Sequence, residues 1–438
     1  MKHINTLVIG GGITGLSTAH FLKDKGIRFS LFESSANLGG VIQTVNDGEF
    51  IFENGPNTVL NNNSSIDKLL RNCNLFDKII LADKGSTAKR YIFLRGEPTS
   101  IPTTIYSFIK TPILSPLSKL KFLLALFLKG DLKDLSVYDF SLKTFGKEFH
   151  DNLVEPILNG IYAGDTRKMS VKYSLRKIWA MKIKYGRIII GLIKSGKTKS
   201  YSFNLPMGLT QMINAISKNL QEEIKLNTKV KQIKKKLNGY EILTLGGDKF
   251  FCKNVICTIP AYVLSDIIFD KQLAKNLKRI EYNPIDVYHF AFKKKDVKSN
   301  INGFGILTKP SDKKSFLGVL FSSNIFPHLC PNEFKSFTVM VGGEKQKRLL
   351  NGNKTEIQKL VLKELKSLID CEIDPICFNY IRWDKAIPQY NFVQSDLERS
   401  IDDFHKHNEN FKIIGNYFSG VSVSDCVQKG ERVVKDLF

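Results

Sequence analysis

Apolar residues fall in runs whose spacing changes along the chain, and the changes mark its elements. Near the amino end, Thr6 to Ile9 and Phe29 to Phe32 are compact apolar runs of strand length. Between them, Ile13 to Lys25 carries Leu16, Ala19, His20, Phe21 and Leu22 at spacings that give a helix a mixed apolar face. Asn5 to about Asp83 thus reads β-α-β followed by loop and helix, the helix being Ser65 to Cys73 with Asp67 early in its first turns. From Ile101 to Phe203 the pattern turns helical and apolar, broken at Pro102, Pro112 and Pro116, with Leu117 to Leu128 as one amphipathic helix. Period-two patterning then returns in Lys225 to Ile233, Tyr240 to Leu245 and Phe250 to Thr258, separated by Asn238-Gly239 and Gly246-Gly247 turns, before a helix over Pro260 to Ile268. A second β-rich stretch runs from Val287–Phe292 through Phe316–Phe321 and Phe337–Val341 into a helix, Lys354 to Ile369. Ser424 to Leu437 closes the chain as a helix with Asp425 in its first turn. No internal repeat of fixed period is visible. This order predicts an α/β protein with a Rossmann-like dinucleotide domain, an α+β second domain and a helical insertion.

The first strand-to-helix passage carries the chemistry. Gly10, Gly12 and Gly15 have G-x-G-x-x-G spacing, and Glu33 closes the second apolar run. The first glycine makes the tight turn, the second lets backbone approach a pyrophosphate, and Gly15 lets helix and strand pack closely. The first N–H groups of the helix and its dipole would hold phosphate, and Glu33 stands where a carboxylate can accept ribose hydroxyls. These residues alone leave NAD and FAD both open. A second phosphate-loop match, Gly191, Gly196, Lys197 and Thr198 after Ile188 to Ile190, fails on context, because Lys199 to Pro206 shows no helical periodicity and ends at proline.

Composition narrows the rest. With 438 residues the chain is expected to hold about two or three domains. Its longest apolar runs, Phe122 to Leu128 and Ile188 to Ile193, fall well short of the ~20 residues that span a bilayer, and the start lacks a signal-peptide pattern, so a cytoplasmic protein is expected. Seven cysteines lie scattered without C-x-x-C spacing, and the histidines form no H-E-x-x-H cluster, so neither a disulfide framework nor a metal is expected. The formal charge of +23 is mostly lysine and signals no nucleic-acid site by itself. One segment departs from that background. After Asp165 no acidic residue occurs until Glu222, while Arg167, Lys168, Lys172, Arg176, Lys182, Arg187 and further lysines interleave with Trp179, Met181 and Ile183. Such a segment suits an anionic membrane surface, at about 1 kcal/mol per basic residue, or is simply a solvated face.

FAD is favoured over NAD by Leu38-Gly39-Gly40 and Glu53-Asn54-Gly55-Pro56-Asn57, since a longer cofactor needs more close backbone approaches. Gly415-Asn416 and Gly420 to Val423 then precede the last helix, whose N-terminus under a flavin would stabilise negative charge on its reduced ring.

With these residues in view, the chain resembles the oxygen-dependent protoporphyrinogen oxidases, flavoproteins of the wider amine oxidase and phytoene desaturase group. The likeness spans nearly the whole length and is carried by ENGPNTV (Glu53–Val59), NGIYAGD (Asn159–Asp165), LPMGLTQM (Leu205–Met212), GFGIL (Gly303–Leu307), AIPQY (Ala386–Tyr390) and GVSVSDC (Gly420–Cys426). The resemblance implies dehydrogenation of protoporphyrinogen IX to protoporphyrin IX in heme synthesis. Hydride would pass from a meso carbon to flavin N5, and molecular oxygen would be reduced to peroxide over three rounds. It implies an FAD-binding domain of residues 1–85, 206–262 and 378–438, a substrate-binding domain of 86–105 and 263–377, and a membrane-associating helical domain of 106–205, giving peripheral attachment to the inner face of the cell membrane. Matched positions imply FAD contacts at Gly10, Gly11, Gly12, Ile13, Thr14, Gly15, Glu33, Val41, Gly55, Pro56, Asn57, Thr58, Val230, Trp383, Val421, Ser422 and Val423. They also imply Arg90 as the partner of a substrate propionate and Phe304 as the aromatic lying against a pyrrole ring; Arg90 as a surface residue and Phe304 as a core residue remain open. No catalytic acid or base is singled out. No cysteine lies between Cys377 and Cys426 to tether a flavin, so FAD is expected to be noncovalent. Coproporphyrinogen III oxidation is the near alternative, its substrate having four carboxylates rather than two. A flavin amine oxidase, and a basic binding protein that merely retains the fold, are more distant ones. A homodimer stays open.

Overall fold

The structure is a computed structural model, and it describes residues 2–127, 133–187, 190, 194 and 200–438. Its first sheet is built around the strand Lys2–Ile9, which pairs in parallel with Ser30–Phe32 on one side and Lys249–Cys257 on the other. Ile224–Lys225 extends the first side, and Gly239–Thr244 with Val230–Lys236 extends the second as an antiparallel meander. Phe411–Ile413 also joins Lys249–Cys257 in parallel. A parallel sheet must be covered on both faces, and the alternation of Leu7, Val8 and Ile9 divides accordingly. Val8 packs with Leu16, Ile213 and Val427 under the helices Ile13–Asp24, Thr210–Lys218 and Val423–Leu437. Leu7 and Ile9 pack with Leu264, Leu273 and Ile401 under Ala261–Ile267, Lys271–Lys278 and Val393–His407.

A second sheet runs in the order Cys377–Pro388, Tyr282–Lys293, Phe334–Gly342, Gly318–Leu320, Gly305–Leu307, Arg90–Leu94, Glu97–Ser100. The helix Lys354–Ile369 lays Ile357, Val361, Leu365 and Ile369 on one face of it, against Tyr288, Phe290 and Phe292. The alternate residues Ile285, Val287 and His289 therefore face the other way, where His289 stacks on Phe52, with ring centroids 5.1 Å apart. The helical block, including Pro116–Phe127, Val137–Thr144 and Glu155–Tyr162, has its own small core of Phe140, Phe145, Leu158 and Val171.

The NGIYAGD segment joins this block to the second sheet. Ala163 adopts a left-handed backbone (φ +49°), and its carbonyl accepts from buried Asn283 Nδ2 at 2.7 Å and from the Glu344 N–H at 2.8 Å. Gln389 Nε2 donates to the Tyr162 carbonyl at 2.9 Å.

Several elements differ from the sequence expectation. Tyr201–Asn204 is a strand that pairs with Val59–Asn61 and Ile80–Leu81, so residues 201–204 sit with the amino-terminal elements rather than the helical insertion. Cys377–Pro388 is an edge of the second sheet, which separates residues 378–388 from the dinucleotide layer to which the sequence division assigned them. Both segments are short runs whose partners lie far off in sequence, a fact invisible to local patterning. Lys225 to Ile233 is two strands, interrupted where Asn227 turns to φ +52°. The phosphate-loop match at Gly191, Gly196, Lys197 and Thr198 lies outside the described residues.

Gly15 shows how tightly the first layer is built, since a Cβ there would lie 1.8 Å from the Gly10 carbonyl oxygen. Gly15→Ala is expected to cost more than about 4 kcal/mol, because backbone and not a flexible side chain must move. A urea-unfolding midpoint equal to that of the parent chain would contradict this account.

Candidate functional site

The glycine loop presents an open helix end. Gly10 turns at φ +109° and donates its N–H to the Phe32 carbonyl at 2.8 Å. A Cβ on Gly12 would meet nothing within 4 Å. The helix Ile13–Asp24 has no side-chain cap and no acidic residue in its first turn. Its orphan N–H groups and positive dipole end are thus unspent beside open space, which is what an anionic phosphate needs.

Glu33 leaves the second strand half-buried and is already held. Oε2 accepts the Gly11 N–H at 2.6 Å, and Oε1 accepts the Ser35 N–H at 2.8 Å. Oε2 keeps a lone pair for a hydroxyl. Val230 starts a strand near the same edge, where the Thr228 N–H donates to the Glu33 carbonyl at 2.7 Å.

The second glycine stretch folds across the first. The Gly39 N–H donates to the Gly11 carbonyl at 2.8 Å, and a Cβ on Gly40 would lie 3.4 Å from Gly12 Cα. Val41 follows, 44% exposed, and its carbonyl oxygen would be 1.8 Å from a Cβ on Gly55. Beyond Gly55 and Pro56, Asn204 Nδ2 donates to the Asn57 carbonyl at 3.1 Å and Thr58 Oγ1 to the Phe203 carbonyl at 3.3 Å. Trp383 reaches this loop from the second sheet, its Nε1 donating to the Asn54 carbonyl at 2.7 Å. The last helix meets it from below: Asn63 Nδ2 donates to the Ser424 carbonyl at 3.1 Å, and Gly430 packs against Ser17 and Thr18. Ser422 caps that helix in a reciprocal box with Asp425, between Val421 and Val423.

Arg90 and Phe304, distant in sequence, are neighbours in space. Arg90 pairs with Gly305 across the second sheet, and its guanidinium carbon sits 4.7 Å from the Phe304 ring centroid. It donates once, to the Thr87 carbonyl at 3.0 Å, and no carboxylate lies within ion-pair distance of it among the described residues. Arg90 is exposed, and partial desolvation of its guanidinium lowers its pKa. A guanidinium stacked on a ring with free in-plane donors is shaped for a flat ligand bearing a carboxylate.

A profile of the flavin containing amine oxidoreductases matches residues 13–437. The chain belongs to that family. Among individual proteins, it is 28% identical to the mitochondrial protoporphyrinogen oxidase of Nicotiana tabacum over 97% of this chain and 92% of that one. It is 24% identical to the coproporphyrinogen III oxidase of Bacillus subtilis (strain 168), over 99% and 97%. The fold matches a crystal structure from Exiguobacterium sp. 255-15 with TM-score 0.84 at 22% identity, covering 100% of this chain and 98% of that one. It matches cyclohexylamine oxidase from Brevibacterium oxydans IH-35A with TM-score 0.74 at 14% identity, covering 99% and 98%. A flavin fits the residues present, because the family's cofactor needs the uncapped helix end and the open face of Gly12.

Sequence reasoning quoted Glu53 within a motif and gave it no role, yet it organises the loop. Its buried carboxylate accepts from the Leu209 N–H at 2.7 Å, Asn204 Nδ2 at 3.1 Å and Thr44 Oγ1 at 2.8 Å, joining ENGPNTV to LPMGLTQM. The preceding apolar run Phe50-Ile51-Phe52 was the available signal that this carboxyl is buried. Tyr390 was likewise unassigned. Its hydroxyl donates to the Asn416 carbonyl at 2.7 Å and accepts the Gly420 N–H at 3.2 Å, while its carbonyl accepts from the Ser170 N–H at 3.0 Å.

All seven cysteines are unpaired, six of them buried. Among the described residues one metal-type group, His150, Asp151 and Glu155, converges. Its carboxylates are already paired with Lys147 and Lys345, and His150 Nε2 meets Thr166 Oγ1 at 3.1 Å.

Burial raises the Glu53 pKa from 4.5 to about 7. The fold therefore favours the protonated form. The stability this contributes is complete below pH 4.5, is lost as pH rises to about 7, and amounts to roughly 3 kcal/mol. Glu53→Gln keeps the neutral geometry, and its Nε2 can donate to Thr44 Oγ1, so its stability is expected to stay flat across that window where the parent declines. Parallel urea-unfolding curves at pH 5 and pH 8 for both proteins would remove Glu53 as the source.

Proposed function

We propose that this flavin-family oxidoreductase binds FAD noncovalently and oxidises protoporphyrinogen IX to protoporphyrin IX, with molecular oxygen as acceptor. Each round removes one hydride and one proton from the macrocycle and reduces one O2 to H2O2, and three rounds complete one porphyrin. The observation that carries the substrate is the Arg90 guanidinium laid on Phe304 without a carboxylate partner among the described residues.

The bound flavin supplies the hydride acceptor. The chain's own residues bind and orient. The glycine loop and the helix end at Ile13 take the pyrophosphate, Glu33 takes ribose hydroxyls, and Val41, the loop from Gly55 to Thr58, Val230, Trp383 and Val421 to Val423 line the remainder. Arg90 fixes a propionate, and Phe304 lies against a pyrrole face. Hydride loss from an electron-rich macrocycle needs no strong protein base. Coproporphyrinogen III is the second reading, supported by the Bacillus relative.

Membrane attachment is also proposed, through the expected helical block, with its apolar helices as the contact. In the acid-free basic segment Lys168 pairs with Glu344, Arg176 pairs with Glu398, and Lys182 is buried. The exposed apolar surface lies instead on Ile105–Lys110 and Pro116–Phe127, where Ile105 is 83% and Leu117 76% exposed and Ile109, Leu120, Leu124 and Phe127 join them. Lys119 Nζ ties the two helices by donating to the Ile109 carbonyl at 2.7 Å. No helix among the described residues is long and apolar enough to cross a membrane, so this face is suited to lying in the headgroup region.

Anaerobic mixing with protoporphyrinogen IX should bleach the flavin absorbance, and faster bleaching by coproporphyrinogen III would instead name that substrate. Absence of bleaching with either ends the porphyrinogen reading. Arg90→Ala should raise KM by about tenfold or more with flavin content unchanged, as expected for losing a charged, two-point contact; unaltered KM would place Arg90 outside the site. In flotation with vesicles rich in anionic phospholipid, the Leu120→Glu/Leu124→Glu double variant should bind more than about tenfold more weakly than the parent. Equal flotation of the two would assign the apolar face another role.

A further inference from the structure

The loop Gly415–Gly420, which leads into the last helix, is held almost wholly through its carbonyls. Lys429, partly buried on the helix Val423–Leu437, donates to the Gly415 carbonyl at 2.6 Å, the Phe418 carbonyl at 2.5 Å and the Gly420 carbonyl at 2.6 Å. An ammonium has three N–H bonds, and all are spent here. The Asn416 carbonyl accepts from the buried Tyr390 hydroxyl at 2.7 Å, and the Tyr417 carbonyl from buried Gln394 Nε2 at 2.7 Å. Lys429 thus supplies three of these five ties.

The loop needs them. Ser419 stands at φ +56° and Gly420 at φ +110°, so a residue with a Cβ is kept in left-handed backbone immediately before the Val421–Val423 stretch. No carboxylate forms an ion pair with Lys429 among the described residues; the nearby Glu398 is engaged by Arg176 at 2.6 Å, and Asp425 is turned to the Ser422 N–H at 3.2 Å. Carbonyl oxygens take all three N–H bonds of the ammonium, and Asp425, Glu398 and Arg176 act on it only through space. Burial holds its pKa below the ordinary lysine value.

We infer that Lys429 is a positioning residue for the cofactor: it locks the Gly415–Gly420 loop in the shape that sets Val421–Val423 against the flavin, and it adds a fixed cation behind that contact. This rests on the cofactor reading proposed above. Removing the ammonium leaves three carbonyls without donors and lets Ser419 relax out of its left-handed conformation, so the stretch that follows loses its register.

The test uses the full-length flavin-loaded protein and three variants, Lys429→Met, Lys429→Ala and Tyr390→Phe, the last cutting only the Asn416 and Gly420 tie. Flavin release after dilution, the visible flavin band and the flavin midpoint potential are measured. Lys429→Met should release flavin about tenfold faster or more and shift the potential to more negative values, with Tyr390→Phe moving release in the same direction by less. For Lys429→Ala, n-propylammonium should restore slow release where sodium chloride of equal ionic strength does not. Unchanged release and spectrum in folded Lys429→Met, or in Tyr390→Phe if the lysine variants do not fold, overturn the inference while the cofactor reading stands. Parent protein that takes up no flavin overturns both.

Discussion

Backbone lying directly on backbone is the constraint on which the rest of this structure depends. Gly15 against the Gly10 carbonyl and Gly55 against the Val41 carbonyl are contacts that no side chain could enter, each leaving only 1.8 Å for a Cβ, and Gly39 donates its N–H to the Gly11 carbonyl at 2.8 Å beside them. Because these approaches are so close, the first helix lies low on the sheet and its N–H groups emerge at an open edge. The two glycine stretches then form one continuous backbone surface. Such a surface offers N–H donors and a helix dipole rather than charged side chains, in a protein that otherwise has lysine in abundance.

Around that surface, a few polar side chains do the joining that apolar packing does within each layer. Glu53 ties the ENGPNTV loop to the start of Thr210–Lys218, Asn283 ties the second sheet to the carbonyl of left-handed Ala163, and Tyr390 ties the helical block to the loop before the last helix. Each of the three is buried, so a lost partner carries the cost of an unsatisfied polar group and not merely of one hydrogen bond. The motifs that set this chain apart are therefore mostly junctions. NGIYAGD and AIPQY meet each other, with Tyr162 and Tyr390 rings 5.7 Å apart and Gln389 Nε2 on the Tyr162 carbonyl.

Much of the first layer was legible from local pattern. The run Thr6–Ile9, the glycines and Glu33 lie within one β-α-β unit, so sequence distance and spatial distance agree, and the reading of Gly15 as a close-packing position is matched by its contact with Gly10. Arg90 and Phe304 were named separately, through resemblance, and nothing local said that they touch. Their contact comes from the parallel pairing of Arg90–Leu94 with Gly305–Leu307, more than two hundred residues apart in the chain. The basic segment after Asp165 shows the same limit of local reading: Lys168 and Arg176 look free in sequence, yet their acidic partners Glu344 and Glu398 arrive from other elements, while Arg167, Lys177, Lys184 and Arg187 stay exposed.

By itself, then, the sequence determined which residues could form strands, helices and turns without side-chain conflict, and it determined the close backbone packing of the glycine loop, because those properties depend on neighbours a few positions away. Only the tertiary structure decided which distant carbonyls Lys429 and Asn283 bond, which lysines are neutralised, which apolar helix face stays uncovered and how high the Glu53 carboxyl titrates. These depend on burial and on partners brought in by sheet pairing, and hydrogen bonds and desolvation act over a few ångströms of space, whatever the separation along the chain.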